Sequence, residues 1–201
     1  MKKKIALIGI PVLFVILFLI LLATSLRSCS LCYNESITSH NPSVYCNKIS
    51  RCSFVGAYEW DGREDTRTIS IPDEWDGMPV TQIGGYYGRG VPTPFDVILP
   101  DDYCNGDSVY GEHPDKFDIS EPYTIEDVVF TLQIGKNISK VECVNSGYYP
   151  FSNTDGSITF FHPVVNVVCS ADNKTFYSSN GKLYDRADDQ LVTEFDYASA
   201  N

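Results

Sequence analysis

The run DDYCNGDSVYGE at residues 101–112 sets side-chain oxygens at the spacing of an EF-hand calcium loop. Asp101, Asn105, Gly106 and Glu112 fall on its first, fifth, sixth and twelfth positions, where carboxylate and amide oxygens and a sharp turn are needed. Tyr103 and Val109 stand at the third and ninth positions, where oxygen ligands belong. Pro100 precedes the loop, and no helical pattern flanks it. A solvated acidic insertion is therefore expected, with Asp101, Asn105 and Glu112 the only calcium candidates and no other metal, cofactor or catalytic residue assigned. His40, His113 and His162 are the histidines that could serve a thiol nucleophile such as Cys104 or Cys169, and nothing in their spacing aligns them. No G-x-S-x-G, H-E-x-x-H or phosphate-cradling loop occurs. GGYYGRG at residues 84–90 is glycine-rich but holds no P-loop lysine; Tyr86 and Tyr87 within it are candidates for a contact patch, since tyrosine brings large area with few rotamers.

Seven cysteines are present. Cys29 and Cys32 form a C-x-x-C, and Cys46 and Cys52 lie close together. Cys104, Cys143 and Cys169 are scattered. Outside the cytoplasm, Cys46 and Cys52 are the expected local disulfide, and the odd total leaves at least one thiol unpaired or intermolecular. The spacing is a poor match to a zinc site, and a thioredoxin-like site needs a strand-to-helix setting that Cys29 and Cys32 lack.

The elements that carry these residues begin with a membrane signal. Lys2, Lys3 and Lys4 precede an uncharged apolar run at residues 5–23, interrupted only by Gly9 and Pro11. Such a run covers roughly 28 Å as a helix, close to the hydrocarbon thickness of a bilayer and longer than the apolar region of a signal peptide. Residues 1–4 are read as a cytoplasmic tail and 5–26 as a transmembrane signal-anchor helix; cleavage or lipidation near Cys29 is the alternative. The lysines place the N-terminus inside and the rest outside. Lys2, Lys3, Lys4 and Arg27 flank the span, whereas all 26 acidic residues lie beyond it, which leaves a body near −15. That charge disfavours nucleic acid and anionic lipid as partners.

Residues 27–53, rich in Ser, Asn and Cys, read as a stalk, and residues 54–201 as the folded domain. Asn34, Asn137 and Asn173 head formal glycosylation sequons. The domain shows short β-branched segments, including 53–59, 68–71, 80–83, 95–99, 128–134, 138–144, 157–161 and 164–168, each ended by Gly, Pro, Asn or Asp. Asp61-Gly62, Asp76-Gly77 and Asn180-Gly181 are turn signals. An all-β extracytoplasmic domain follows, with residues 121–129 the one stretch where a helical turn competes with a strand.

Within TISIPDEWDGMPVTQIGG at residues 68–85, Ile69-Ser70-Ile71-Pro72 and Val80-Thr81-Gln82-Ile83-Gly84 set a cadence. It returns in Val97-Ile98-Leu99-Pro100, in Leu132-Gln133-Ile134-Gly135 and in Ile138-Ser139-Lys140-Val141. Repetition of this kind marks a stacked solenoid. These residues resemble the BspA-like leucine-rich-repeat proteins of bacterial surfaces, and Asn180-Gly181-Lys182-Leu183-Tyr184 matches a strand-turn-strand segment of that family. The likeness covers residues 58–90 and 158–192 and, loosely, 91–157. The Pro-rich 91–94 and the acidic 101–118 stretch the spacing, so a short, degenerate, irregular β-solenoid is expected. The resemblance implies an extracellular module that binds protein or carbohydrate, not an enzyme. A cell-envelope hydrolase or accessory subunit, and a structural part of a membrane complex, are the competing readings.

Overall fold

The computed structural model describes residues 33–36, 43–47, 51–85, 94–105, 109–142 and 144–199, with the backbone alone for 33–36, 43–47 and 51. The expected membrane span at 5–26, Cys29, Cys32, Cys143, His40, Tyr86 and Tyr87 lie outside the described residues. Among the described residues, no helix is long and apolar enough to cross a membrane.

The described chain is β-rich. Its strands are β1 (Tyr33–Ser36), β2 (Ser43–Asn47), β3 (Arg51–Glu59), β4 (Thr68–Ser70), β5 (Glu74–Trp75), β6 (Met78–Ile83) and β7 (Phe95–Ile98), then β8 (Tyr123–Ile134), β9 (Lys140–Val141), β10 (Val144–Asn145), β11 (Tyr149–Ser152), β12 (Ile158–Cys169), β13 (Phe176–Ser179) and β14 (Lys182–Asp185). The helical pieces are single 3-10 turns at Glu64–Thr66, Asp101–Tyr103 and Pro114–Lys116. Within the segment expected as a stalk, β1 and β2 pair antiparallel and continue the sheet from β3.

Three parallel ladders organise the core. In the first, β6 lies between β3 and β9, with Phe54, Ile83 and Val141 in one row. In the second, β7 lies between β3 and β10, and Phe95 stands beside Gly56 and Val144. In the third, β8 lies between β4 and β12, and Ile69, Leu132 and Val167 form a row that is at most 2% exposed. The chain visits the ladders in the same order three times: β3, β3 again and β4; β6, β7 and β8; β9, β10 and β12. Stacking equivalent residues about 4.8 Å apart turns a short apolar strand into a continuous column, which no single turn of chain could bury alone. Phe54, Phe95, Phe130, Ile83 and Leu132 fill the interior that the ladders enclose. Phe130 takes the edges of the Tyr58 and Trp60 rings at 6.4 and 5.4 Å.

Local chemistry places the corners. Gly56 has φ +87°, which permits the bend that sends the first half of β3 to β6 and the second half to β7. Asp76 and Gly77 (φ +50° and +72°) close the β5–β6 hairpin, and Asn180 and Gly181 (φ +49° and +74°) the β13–β14 hairpin, as type I′ geometry requires.

Two expectations change. Residues 121–129 adopt no helical turn, because β8 pairs with β12 from Tyr123 to Ile134. The segments 157–161 and 164–168, expected as separate strands, are one strand running through Pro163. Along β12, Val165 N–H donates to Asp196 O, Val167 N–H to Gly181 O and Cys169 N–H to Ser178 Oγ, all away from β8. By alternation the nitrogen of Pro163 also faces away from β8, so its missing proton removes no bond from the ladder.

Candidate binding site

The carboxyl ends of β4, β8 and β12 come together around an open pocket of about 330 Å³. Each turn of the chain contributes: Ser70, Ile71 and Asp73 from the first, Gln133 to Gly135 from the second, and Val168 to Ser170 from the third. Ser70 and Gln133 are neighbours in the ladder, and Ser70 Oγ donates to Gln133 Oε1 at 2.7 Å. Asp73 Oδ1 accepts the Lys136 N–H at 2.7 Å while its other oxygen lies 3.6 Å from Lys136 Nζ. A Cβ at Gly135 would stand 2.4 Å from Asp73 Oδ1, so any larger residue at the rim would displace that carboxylate. Val168, half exposed, supplies apolar surface beside these polar groups. The Cys169 thiol is directed at the Phe176 carbonyl, Sγ to O 3.6 Å, and burial pushes its pKa up against the opposing pull of Arg186. A poorly ionised thiol of this kind is a weak nucleophile. The pocket thus offers hydroxyl, amide and apolar contacts to a ligand laid across three strands.

Of the groups singled out by spacing alone, Asn105 and Glu112 have partners of their own. Asn105 donates from Nδ2 to Ser152 O and accepts the Ser152 N–H at Oδ1, which commits both ends of its amide. Glu112 lies 3.4 Å from Lys116 Nζ, and Asp101 opens a 3-10 turn. The described residues contain no group of three or more His, Cys, Asp or Glu side chains that could hold a metal ion.

His162 is buried inside β12. Its Nδ1 lies 3.4 Å from Asp127 Oδ1 on β8 and its Nε2 3.3 Å from Asp196 Oδ2 in the C-terminal segment, with the Tyr148 ring stacked on it at 4.2 Å. His113 meets the same tyrosine edge-on at 5.3 Å. Two of the three histidines are thereby brought together, though with both His162 nitrogens facing carboxylates none remains to activate a nucleophile. The hydrogen bond from His162 holds the Asp196 carboxyl below its usual range, against the effect of burial. The cluster ties the C-terminal segment to the third ladder.

Asp96 was not singled out in the sequence. It stands on β7 between Ala57 and Asn145, and burial raises its pKa to about 6, with the Val97 backbone bond opposing. The neighbouring Tyr149 hydroxyl is pushed up to about 12 by burial and by Asp96, and it donates to Val97 O at 3.0 Å. A carboxyl of that pKa suits general acid-base work, but its aromatic neighbour is committed to the backbone. No signal in the sequence marks Asp96 or the surroundings of His162, because each acquires its setting from a strand distant in the chain.

Compared with family models, curated protein sequences and solved structures, the chain has no match.

Proposed function

We propose that this chain is a membrane-anchored, outward-facing binding module built on a short, irregular β-solenoid akin to BspA-like leucine-rich repeats, and that it binds protein or carbohydrate rather than catalysing a reaction. The observation that carries the reading is the pocket at the carboxyl end of the third ladder, because it exists only where three successive turns of chain stack. Repeat scaffolds use such rows of equivalent positions as extended binding surfaces. The apolar run at 5–23, the three lysines before it and the acidic body support anchorage with the domain outside. Cys46 stands directly opposite Cys52 across the β2–β3 pair, a placement that suits a cross-strand disulfide in an oxidising compartment.

The binding part is tested with the full chain in detergent on arrays of cell-surface polysaccharide fragments and synthetic peptides. The chain should retain at least one probe class. Val168→Trp, which adds bulk at a half-exposed pocket position, should weaken that retention by about tenfold or more with little change in melting temperature. Retention unaffected by Val168→Trp would place the binding surface elsewhere, and no retention at all would remove the reading.

A further inference from the structure

The third ladder is stepped. Strands β8 and β12 pair along twelve residues, but β4 covers only Thr131 to Gln133 on the far side of β8. The reason is local: the 3-10 turn at Glu64–Thr66 carries the chain off the edge at Arg67, whose carbonyl accepts the Thr131 N–H. Among the described residues, no strand pairs with that side of β8 between Tyr123 and Phe130. The direction of its main-chain groups follows from the bonds that are made. Thr131 N–H and Gln133 C=O point toward β4, whereas Ile134 C=O points toward β12 and accepts Ser170 N–H. Odd-numbered residues therefore face the open edge, and Ile125, Asp127 and Val129 each present an N–H and a C=O there, about 6.6 Å apart. Thr124 to Asp127 are exposed in succession, and Ile125 and Val129 are 36% and 41% exposed.

We infer that this step is a strand-addition site for an extended basic peptide with alternating apolar residues, which would lie in line with β4 and complete the first turn of the third ladder. Main-chain bonds to Ile125, Asp127 and Val129 give such a partner its purchase, and its alternate side chains meet Ile125 and Val129. Charge selects the class. Residues 117–135 hold Asp118, Glu121, Glu126 and Asp127 and no lysine or arginine, and among the described residues no ion pair engages Glu121 or Glu126. The same charges oppose a second copy at this edge, since pairing two such strands would set carboxylates against carboxylates. This inference goes beyond the pocket and does not depend on it.

The test uses the full 201-residue chain in zwitterionic detergent and a capped peptide of sequence KVKVKVK, with hydrogen exchange read by mass spectrometry over residues 123–130. In the free chain the amides of Ile125, Asp127 and Val129 should exchange fast and their even-numbered neighbours slowly. Saturating peptide should slow those three amides by about tenfold or more. The same peptide N-methylated at its three central nitrogens should leave them fast, and a capped EVEVEVE should bind about tenfold more weakly or worse. Ile125→Pro removes one edge donor whose proton faces solvent, so binding should fall while the fold is kept. Unchanged exchange at the three amides, equal binding of the N-methylated or the acidic peptide, or protection through self-association in the absence of peptide would each overturn the inference. Val168→Trp should leave peptide binding intact, which separates this edge from the pocket.

Discussion

Replacing Asn173 with alanine is expected to cost about 3–5 kcal/mol, because one buried amide here satisfies four backbone groups at once. The side chain is 1% exposed. Its Nδ2 donates to Gly135 O at 2.8 Å and Ile138 O at 2.9 Å, and its Oδ1 accepts the N–H groups of Thr175 and Phe176 at 2.9 and 2.8 Å. These bonds join the β8–β9 connection to the start of the β13–β14 hairpin beside β12, so truncation leaves donors and acceptors stranded in the interior. For a chain of this size the loss corresponds to a fall of roughly 6–20 °C in melting temperature. Asn173→Asp keeps the shape but aims carboxylate oxygen at two carbonyls. It should be at least as damaging at pH 7, and partly relieved in acid once the carboxyl is protonated. Its folded pKa would be raised, so the stability it keeps is lost as pH rises. Thermal melts at pH 4 and 7 check both variants, and a loss under about 1 kcal/mol for Asn173→Ala would show that the amide is not the clamp. The same geometry closes the Asn173 sequon to glycosylation in the folded chain, since both hydrogens of the amide nitrogen are engaged.

Asp96→Asn should do the opposite and stabilise the protein, in a pH-dependent way. The folded carboxyl titrates at about 6 because it is buried; in the unfolded chain it titrates near the ordinary value of about 3.9. A raised folded pKa means that the native state holds the proton more tightly, so its contribution is fully present below about pH 4 and lost as pH rises through about 6. Above that, the native state bears a partly buried charge that asparagine would not. Allowing for solvent screening at a residue only part-buried, a gain of about 1–2 kcal/mol is expected at pH 8 and almost none at pH 4. Melting temperatures measured from pH 4 to 8 should separate progressively between about pH 4 and pH 6. Parallel curves would mean that Asp96 is not the group responsible.

Local features of this fold were legible in the sequence, and long-range ones were not. Asp76-Gly77 and Asn180-Gly181 signalled their turns because positive φ is a property of the dipeptide. The apolar alternation of Ile69 to Pro72 and Val80 to Gly84 marked two short strands. That these two lie in different ladders, with β4 beside β8 and β6 between β3 and β9, is fixed by partners tens of residues away. Loop insertions make the spacing between ladder neighbours uneven. The stretch between β7 and β8 spans residues 99–122, so Ile69 and Leu132 are ladder neighbours 63 positions apart, whereas Leu132 and Val167 are 35 apart. The segments on either side of Pro163 read as two strands because the edge its nitrogen faces is not visible in the sequence. The partner of Asn105 was hidden for a related reason: its amide is spent on Ser152, a residue that spacing within the loop cannot reveal. Tyr86 and Tyr87 lie outside the described residues, and the pocket at Gln133 and Val168 emerges only once three turns are stacked.

The central claim, that the domain faces outward as a binding module, is tested most directly on intact cells carrying the full chain with a C-terminal tag. Protease is added outside, and cysteines are then labelled in denaturant with and without prior reduction. The account predicts that the tag is removed from intact cells and that Cys46 and Cys52 accept label only after reduction. A protected tag together with free labelling of every cysteine would place the domain inside the cell and contradict it.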